Sequence, residues 1–475
     1  MAQNTSGSAS ATTIEINDVA PIPAAERHGK AWHLFTVWSS PNLEFATVFV
    51  GALGVLFFGL NLPQAILAVL VGNALAAVTH GIFSTWGPEA GLPQMVLGRT
   101  AFGKWGNLIP AGLSTLVAGI GWFAVNSVSG ALALNALTNI PVGGALGIVV
   151  LAQILIAFVG HNLIQVWERY TSYGLAIVWI IVTFMILTGG HHIGTTGPSS
   201  FNIGGFTLAA GAAYGYTAGW TPFASDYTRY LPANVNKRAL GMFAGLGNFF
   251  STSVLMIVGA VAFAAIGIQD NPTKGFTDLL GNGYIASLTL LAIAIGSISA
   301  NVLNVYSGAM SFLAMGFKLG FKTRRAIMVI LAGIVGGLVA YDAAVIDPKN
   351  IGSHLEGFLL VVSYWVAPWI AIVLTDSLMR RGQKLGEVAL SIKENIAGPI
   401  AFVVSAFVSI YFFANQYPTY VAKGAVSGVF ADNFFMTNDG FKVIVGGDAT
   451  ALVGFVLAAV IYWVLATALK STKKN

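Results

Sequence analysis

GGFTLAAGAAYGYTAGWTPFASDYTRYL (204–231) opens as an apolar run of membrane-spanning length, yet it is full of interruptions. Gly204, Gly205, Gly211, Gly215 and Gly219 precede Trp220 and Pro222. Glycine leaves the backbone permissive, while proline lacks an amide donor and crowds the preceding turn. A break at bilayer depth strands carbonyls and amides, which is tolerated only where it lines a cavity or is buried in protein. The stretch therefore reads as a broken transmembrane helix that forms half of a substrate site. Gly215–Pro222 is the expected break, and Asp226, Tyr227, Arg229 and Tyr230 form its polar end.

The surrounding chain fits that reading. Its 475 residues are 56% hydrophobic and 9% charged, against about 25% charged in a soluble domain. Apolar runs of about 20 residues, the length that spans a hydrocarbon core, recur along it. The expected fold is an all-α polytopic membrane protein. Its twelve transmembrane helices lie at about 43–62, 64–86, 108–134, 142–160, 173–188, 204–224, 240–268, 285–312, 326–341, 355–374, 396–414 and 449–469. A tail (1–38), a ten-helix core (39–378), helices 11 and 12 with their loops (379–469) and a short tail (470–475) divide the chain. With no cysteine there is no disulfide and no thiolate chemistry. The polar opening residues carry no basic-then-apolar leader, so the first span is expected to start insertion itself.

Charge gives the orientation. Nineteen of the 23 Lys and Arg fall on the side of the tails, and only Lys274, Lys349, Lys423 and Lys442 fall opposite. Positive residues concentrate on the cytoplasmic side, so both termini are expected there, in a plasma (cytoplasmic) membrane. The net charge of +5 is explained by this bias and gives no support for nucleic-acid binding.

Span 1 carries Gly51, Gly54 and Gly59 and closes at Asn61-Leu62-Pro63, so it resembles span 6 in pattern. Five positions apart, the two cross the membrane in opposite senses. That is the signature of a five-plus-five inverted repeat, spans 1–5 against 6–10, with broken helices 1 and 6 at a transport site. Glycines that merely let helices pack closely are the alternative.

Spans 3 and 8 supply candidate ligands. Trp122 and Asn126 are one turn apart on span 3 and share a face. Span 8 places Ser297, Ser299, Asn301 and Asn304 in close succession. Buried amides need partners, and an interhelical hydrogen bond is the ordinary one. Here three amides accompany Trp122 and Trp220, and flat rings can sandwich a planar ligand while amides read its edge. No charged residue falls in the middle of spans 1, 3, 6 or 8. A flat neutral molecule such as a nucleobase suits this lining. Glu44, at the start of span 1, is a titratable candidate for proton coupling. Asp226 and Arg229 read as a gate or a helix-end network.

GLNLPQ (59–64), GLPQMVLGR (91–99), GWFAVN (121–126), AGWTPFASDYTRYLP (218–232) and ANVLNVYS (300–307) resemble the purine–cytosine permeases of the nucleobase–cation symporter-1 family. The likeness runs in order from about Pro41 to Asp376. It implies the inverted-repeat fold with two extra helices and alternating access coupled to H+ or Na+. It also implies Trp122 and Trp220 as stacking residues, and Asn126 and Asn304 as amides that read the substrate. Ala300 and Leu303 replace an asparagine and a proline of the fungal motif, and Asn301 keeps the second asparagine. In the family's sodium-coupled hydantoin transporters two adjacent span-8 hydroxyls hold the ion. Ile298 and Ser299 stand there, so H+ is favoured over Na+.

The expected activity is import of cytosine or purines by cation symport, with allantoin, hydantoin or uracil as alternative substrates. A channel is the rival of another class. An enzyme is not expected, since no Walker motif, metal pattern or activated nucleophile is present. No cofactor and no obligatory protein partner is implied; the partners are the nucleobase and the lipid bilayer.

Overall fold

The computed structural model describes residues 19–159, 161–193, 197–281, 283–317, 321–415 and 446–472. The start of the N-terminal tail (1–18), Lys318, Lys423, Lys442, Lys473 and Lys474 lie outside them. Among the described residues the chain is helical, without strands. Among the described residues eight helices are long and apolar enough to cross a bilayer. Phe45–Leu56, Val142–Ala157 and Ala397–Phe413 are shorter apolar helices.

The main elements are α1 (His33–Ser39), α2 (Phe45–Leu56), α3 (Leu62–Ser84), α4 (Leu108–Thr138), α5 (Val142–Val159), α6 (His161–Thr188) and α7 (Ile203–Ala218). They continue with α8 (Ala224–Thr228), α9 (Lys237–Ile266), α10 (Gly283–Ala314), α11 (Val329–Ile346), α12 (Ile351–Met379), α13 (Ala397–Phe413) and α14 (Thr450–Ala468). Residues Val19–Ala31 pack across one end of the bundle. There Ile22 N donates to Gly91 O, Arg27 Nη1 to Pro88 O and His28 N to Tyr230 O. This end is the tail side.

Two spans are divided in mid-course, span 6 at the end of the expected Gly215–Pro222 stretch and span 1 ahead of its glycines. Span 1 starts earlier than residue 43, as α1. It turns at Ser40-Pro41-Asn42 and stays extended at Glu44 (φ −148°, ψ 167°) before resuming as α2. Proline at the second position of the turn explains the interruption. Span 6 holds its helix through Gly215 to Ala218, turns at Thr221–Phe223 around Pro222, and resumes as α8.

The glycines do other work. A Cβ on Gly51 would lie 1.8 Å from Met256 O, and one on Gly259 would lie 1.7 Å from Val48 O. These reciprocal glycines let the backbones of α2 and α9 touch, the close approach by which membrane helices associate. Gly215 does the same against Leu359 O at 2.2 Å. Gly51→Ala is therefore expected to lower the thermal midpoint in detergent, at a cost of at least ~1–3 kcal/mol. Gly54→Ala, which would meet only side-chain atoms starting with Ala65 Cβ at 3.1 Å, should be far milder. Equal effects would remove the packing argument.

Packing follows the expected repeat. α2 packs on α9 as α7 packs on α3, and α5 on α10 as α11 on α4. α3 with α9 and α4 with α10 are each paired across the two halves. These are the pairs that exchanging spans 1–5 with spans 6–10 interchanges. α13 and α14 pack on each other and on α12, outside this symmetry.

Candidate functional site

The two breaks meet through one side chain that the sequence did not single out. Asn42, fully buried in the span-1 turn, accepts from Trp220 Nε1 at 2.9 Å. Its Nδ2 lies 2.9 Å from Trp38 O, 3.0 Å from Ser251 Oγ and 3.2 Å from Asn248 Oδ1. Asn248 Nδ2 in turn donates to Thr217 O at 3.2 Å, a carbonyl at the end of α7 whose backbone partner, Trp220 N, is a longer 3.5 Å away. The amide thus satisfies broken backbone and aims the Trp220 ring at once.

Trp122 approaches the span-6 break from α4. Within α4, Val117–Trp122 forms a π-helical segment. Such bulges re-aim side chains and release carbonyls. The Trp122 ring stands edge-on to Tyr216 at 5.1 Å and to Phe358 at 4.9 Å. A Cβ placed on Gly219 would lie 3.4 Å from Trp122 Cζ2. Both expected tryptophans therefore flank the break, and both are buried.

The three asparagines come together. Asn301 Nδ2 donates to Phe123 O at 2.8 Å and Ser127 Oγ at 3.3 Å, which turns its oxygen toward its neighbours. That oxygen accepts from Asn126 Nδ2 at 3.0 Å and Asn304 Nδ2 at 3.4 Å. With both amino groups turned to Asn301, Asn126 Oδ1 and Asn304 Oδ1 remain buried without a hydrogen bond. Asn301 is fully engaged by protein and acts as the hub that orients the other two.

The two serines, the candidate ion-coupling hydroxyls, each have protein partners. Ser297 Oγ donates to Ala294 O and lies against Gly130. Ser299 Oγ accepts the indole N–H of Trp167 at 2.7 Å and bonds Thr171 Oγ1 at 3.2 Å, both on α6.

Glu44 is fully buried, although a carboxylate at the start of a span is ordinarily solvated. It caps α2, accepting from Ala46 N at 2.8 Å and Thr47 N at 3.2 Å. Tyr216 OH of α7 donates to its Oε1 at 2.7 Å.

Asp226 and Arg229 are likewise buried, not interfacial. Asp226 Oδ1 accepts from Gln94 N at 2.9 Å, and Ser225 Oγ donates to Gln94 Oε1 at 2.7 Å. Gln94 belongs to the GLPQ turn, so α8 is docked against the α3–α4 connection. The Arg229 guanidinium lies over the Tyr230 ring at 5.1 Å.

A cavity of about 400 Å³ leads from the tail side to Trp220 between α1, α6, α8 and α10, with His33, Trp38, Ser172, Tyr227 and Leu303 in its wall. On the opposite side Phe358 covers Trp122.

Known proteins show the same pattern. The family described as permease for cytosine/purines, uracil, thiamine, allantoin matches residues 21–436. The chain belongs to this family. A Bacillus subtilis (strain 168) protein assigned as a purine-cytosine permease is 27% identical to this permease over 464 residues, 95% of this chain and 96% of that one. A purine-cytosine permease of Emericella nidulans is 28% identical over 393 residues, 78% and 74% of the two chains. Among solved structures, Mhp1, a nucleobase-cation-symport-1 family transporter closed around bromovinylhydantoin, superposes with a TM-score of 0.69 at 19% identity. It covers 96% of this permease and 97% of Mhp1. The inward-facing conformation of Mhp1 also gives 0.69, at 18% identity over 97% and 94% of the two chains. At these identities the likeness is one of fold, and it agrees with the divided spans and paired halves described above.

Asn42, Tyr216 and the π-helical turn are the parts of the site that sequence reading missed. Pro41 beside Asn42 and the pair Gly119 and Gly121 before Trp122 were the available signals.

Proposed function

We propose that this permease imports a neutral nucleobase, cytosine or a purine, in symport with a proton. One observation carries the substrate class: Asn126 Oδ1 and Asn304 Oδ1 are buried acceptors without a protein partner, held in place by Asn301. Buried polar atoms left unpaired need a ligand or water to complete them. A planar molecule that presents N–H groups at its edge and a π-face to Trp122 meets both demands. The matched relatives are named as purine-cytosine permeases, which favours the same substrates here. The bias of basic residues makes the tail side cytoplasmic, so the cavity reaching Trp220 is the inward path. Mhp1 is seen both closed and facing inward, as alternating access requires. No step of this reading is chemical, so an enzymatic role is not part of it.

A proton is preferred to sodium because Ile298 takes the place of one of the two adjacent hydroxyls, and the remaining one, Ser299, is already engaged with Trp167 and Thr171.

The test uses purified permease in liposomes. Cytosine, adenine, guanine, hypoxanthine and uracil are compared by tryptophan-fluorescence quenching, and labelled cytosine by uptake. Binding of cytosine or a purine, with saturable uptake that persists without sodium and collapses with a protonophore, is the expected result. Failure of cytosine and every purine to bind would overturn the substrate class. Strict sodium dependence would overturn the ion, and unsaturable flux would favour a channel.

A further inference from the structure

We infer that Glu44 is the group that carries the coupled proton, with Tyr216 as the link between that proton and the substrate. The inference rests on the symport reading above. Four observations converge on this carboxyl. It sits in the extended residue between α1 and α2, where a divided helix can change shape. It receives a hydroxyl from Tyr216 on α7, so it bridges the two divided spans. The ring of that same Tyr216 stands edge-on to Trp122, the expected stacking surface. Finally, among the described residues no Lys, Arg or His pairs with it. An ionisable side chain inside a membrane protein without a counter-charge marks a relay or an ion path.

The neighbouring elements leave few rivals for the proton. α10 presents Gly296, where a Cβ would lie 3.3 Å from Glu44 Cβ, and α6 presents Trp179, whose indole bonds Leu43 O. Tyr216 is the titratable group in hydrogen-bond contact. His80 on α3 is buried edge-on against Trp38, with no bond to Glu44. Asp226 accepts from Gln94 N and the Arg229 guanidinium lies over the Tyr230 ring, so both serve the docking of α8.

The hydrogen-bond geometry accommodates both protonation states. As a carboxylate, Glu44 accepts from two backbone amides and from Tyr216 O–H. When a proton forms an O–H bond at Oε1, that oxygen becomes a donor to the Tyr216 oxygen. Tyr216 then turns its own hydrogen to Thr47 Oγ1, 2.5 Å away, and Thr47 keeps its bond to Asn42 O at 2.7 Å. No hydrogen is lost in the exchange; the one proton that enters is the coupled cation, and the same count leaves when Glu44 is deprotonated. The switch ends at Thr47, whose hydroxyl stays on the backbone carbonyl of Asn42, the residue whose side chain joins the span-1 break to Trp220. Proton occupancy is thereby adjacent to both tryptophans, to Trp122 through the Tyr216 ring and to Trp220 through Thr47 and Asn42.

The experiment uses the full chain in liposomes, with labelled cytosine or the purine that wild type binds best. Glu44→Gln keeps the shape and the acceptor for the α2 amides. It is expected to retain substrate binding and counterflow within about fivefold of wild type, yet to lose accumulation driven by an imposed pH gradient. Binding-linked proton uptake, read with an indicator dye in weak buffer, should fall from near one per substrate to none. Tyr216→Phe should keep proton uptake but shift its pH profile. Gradient-driven accumulation by Glu44→Gln at the wild-type level overturns the inference. If Glu44→Gln does not fold, a Tyr216→Phe pH profile superimposable on wild type overturns it instead. Wild type that binds no nucleobase, or that accumulates it only with sodium, refutes the symport reading and is distinguished from failure of Glu44 alone.

Discussion

Trp122→Ala is expected to weaken nucleobase binding by about 5- to 150-fold, the equivalent of the ~1–3 kcal/mol that one base–aromatic stack contributes. The ring is suited to that role because its plane is fixed before any ligand arrives. Tyr216 and Phe358 meet it edge-on from two sides, at 84° and 85° to its plane. Edge-on neighbours support a ring without covering its whole face. The π-helical turn ending at Trp122 fixes where the side chain leaves the helix. Trp122→Phe retains a flat face of smaller area and should recover part of the loss. Calorimetric titration is the suitable measurement, since quenching itself depends on the tryptophan being removed. Binding within twofold of wild type in Trp122→Ala would place the stacking surface elsewhere. Trp220→Ala is a less clean test, because the Trp220 indole also donates to Asn42 and its loss disturbs the break itself.

Most of the scaffold was legible because hydropathy and charge act through simple sums. Apolar runs report spans regardless of what they pack against, and the sorting of Lys and Arg depends only on which loops they occupy. The cluster proposed to face the substrate, Trp122, Asn126 and Asn304, could be singled out because polar and aromatic groups in mid-span have few ordinary explanations. Glycine misled in span 1. Gly51 resembles a weak point on paper, yet its work is to admit the Met256 backbone. That distinction depends on a partner 205 positions away, which no local pattern encodes. The true break at Ser40-Pro41-Asn42 precedes the apolar run, so a hydropathy window treats it as tail. Asn301 was read as a ligand because its type and depth match those of Asn304. Only the direction of its hydrogen bonds, toward Phe123 O and Ser127, assigns it the positioning role. Glu44 was placed at an interface because it starts a span; Tyr216 of α7 and the close approach of α10 at Gly296 pack against it and help remove it from water.

Asn42→Ala is expected to lower the stability of the permease by about 2–6 kcal/mol, since it strands two buried polar partners at ~1–3 kcal/mol each. Those partners are the Trp220 indole and the Asn248 carbonyl oxygen, which have Asn42 as their bonded neighbour. Ser251 is better protected, because its hydroxyl also reaches Gly247 O at 2.8 Å. Reversible unfolding in detergent measures the loss, and a double-mutant cycle with Trp220→Phe separates the pair from the rest of the network. Phenylalanine keeps the ring but has no N–H to strand. The coupling energy between the two changes should then be about 1 kcal/mol or more, and additive effects would mean that the Asn42–Trp220 bond contributes nothing. The transport consequence differs from that of Trp122→Ala. Asn42 holds α1, a wall of the tail-side cavity, to the α7–α8 break and to α9. Releasing it frees the wall relative to the stacking surface without removing that surface. Asn42→Ala should therefore slow net uptake more than it weakens equilibrium binding. A variant with unimpaired uptake would show that the two divided spans move independently.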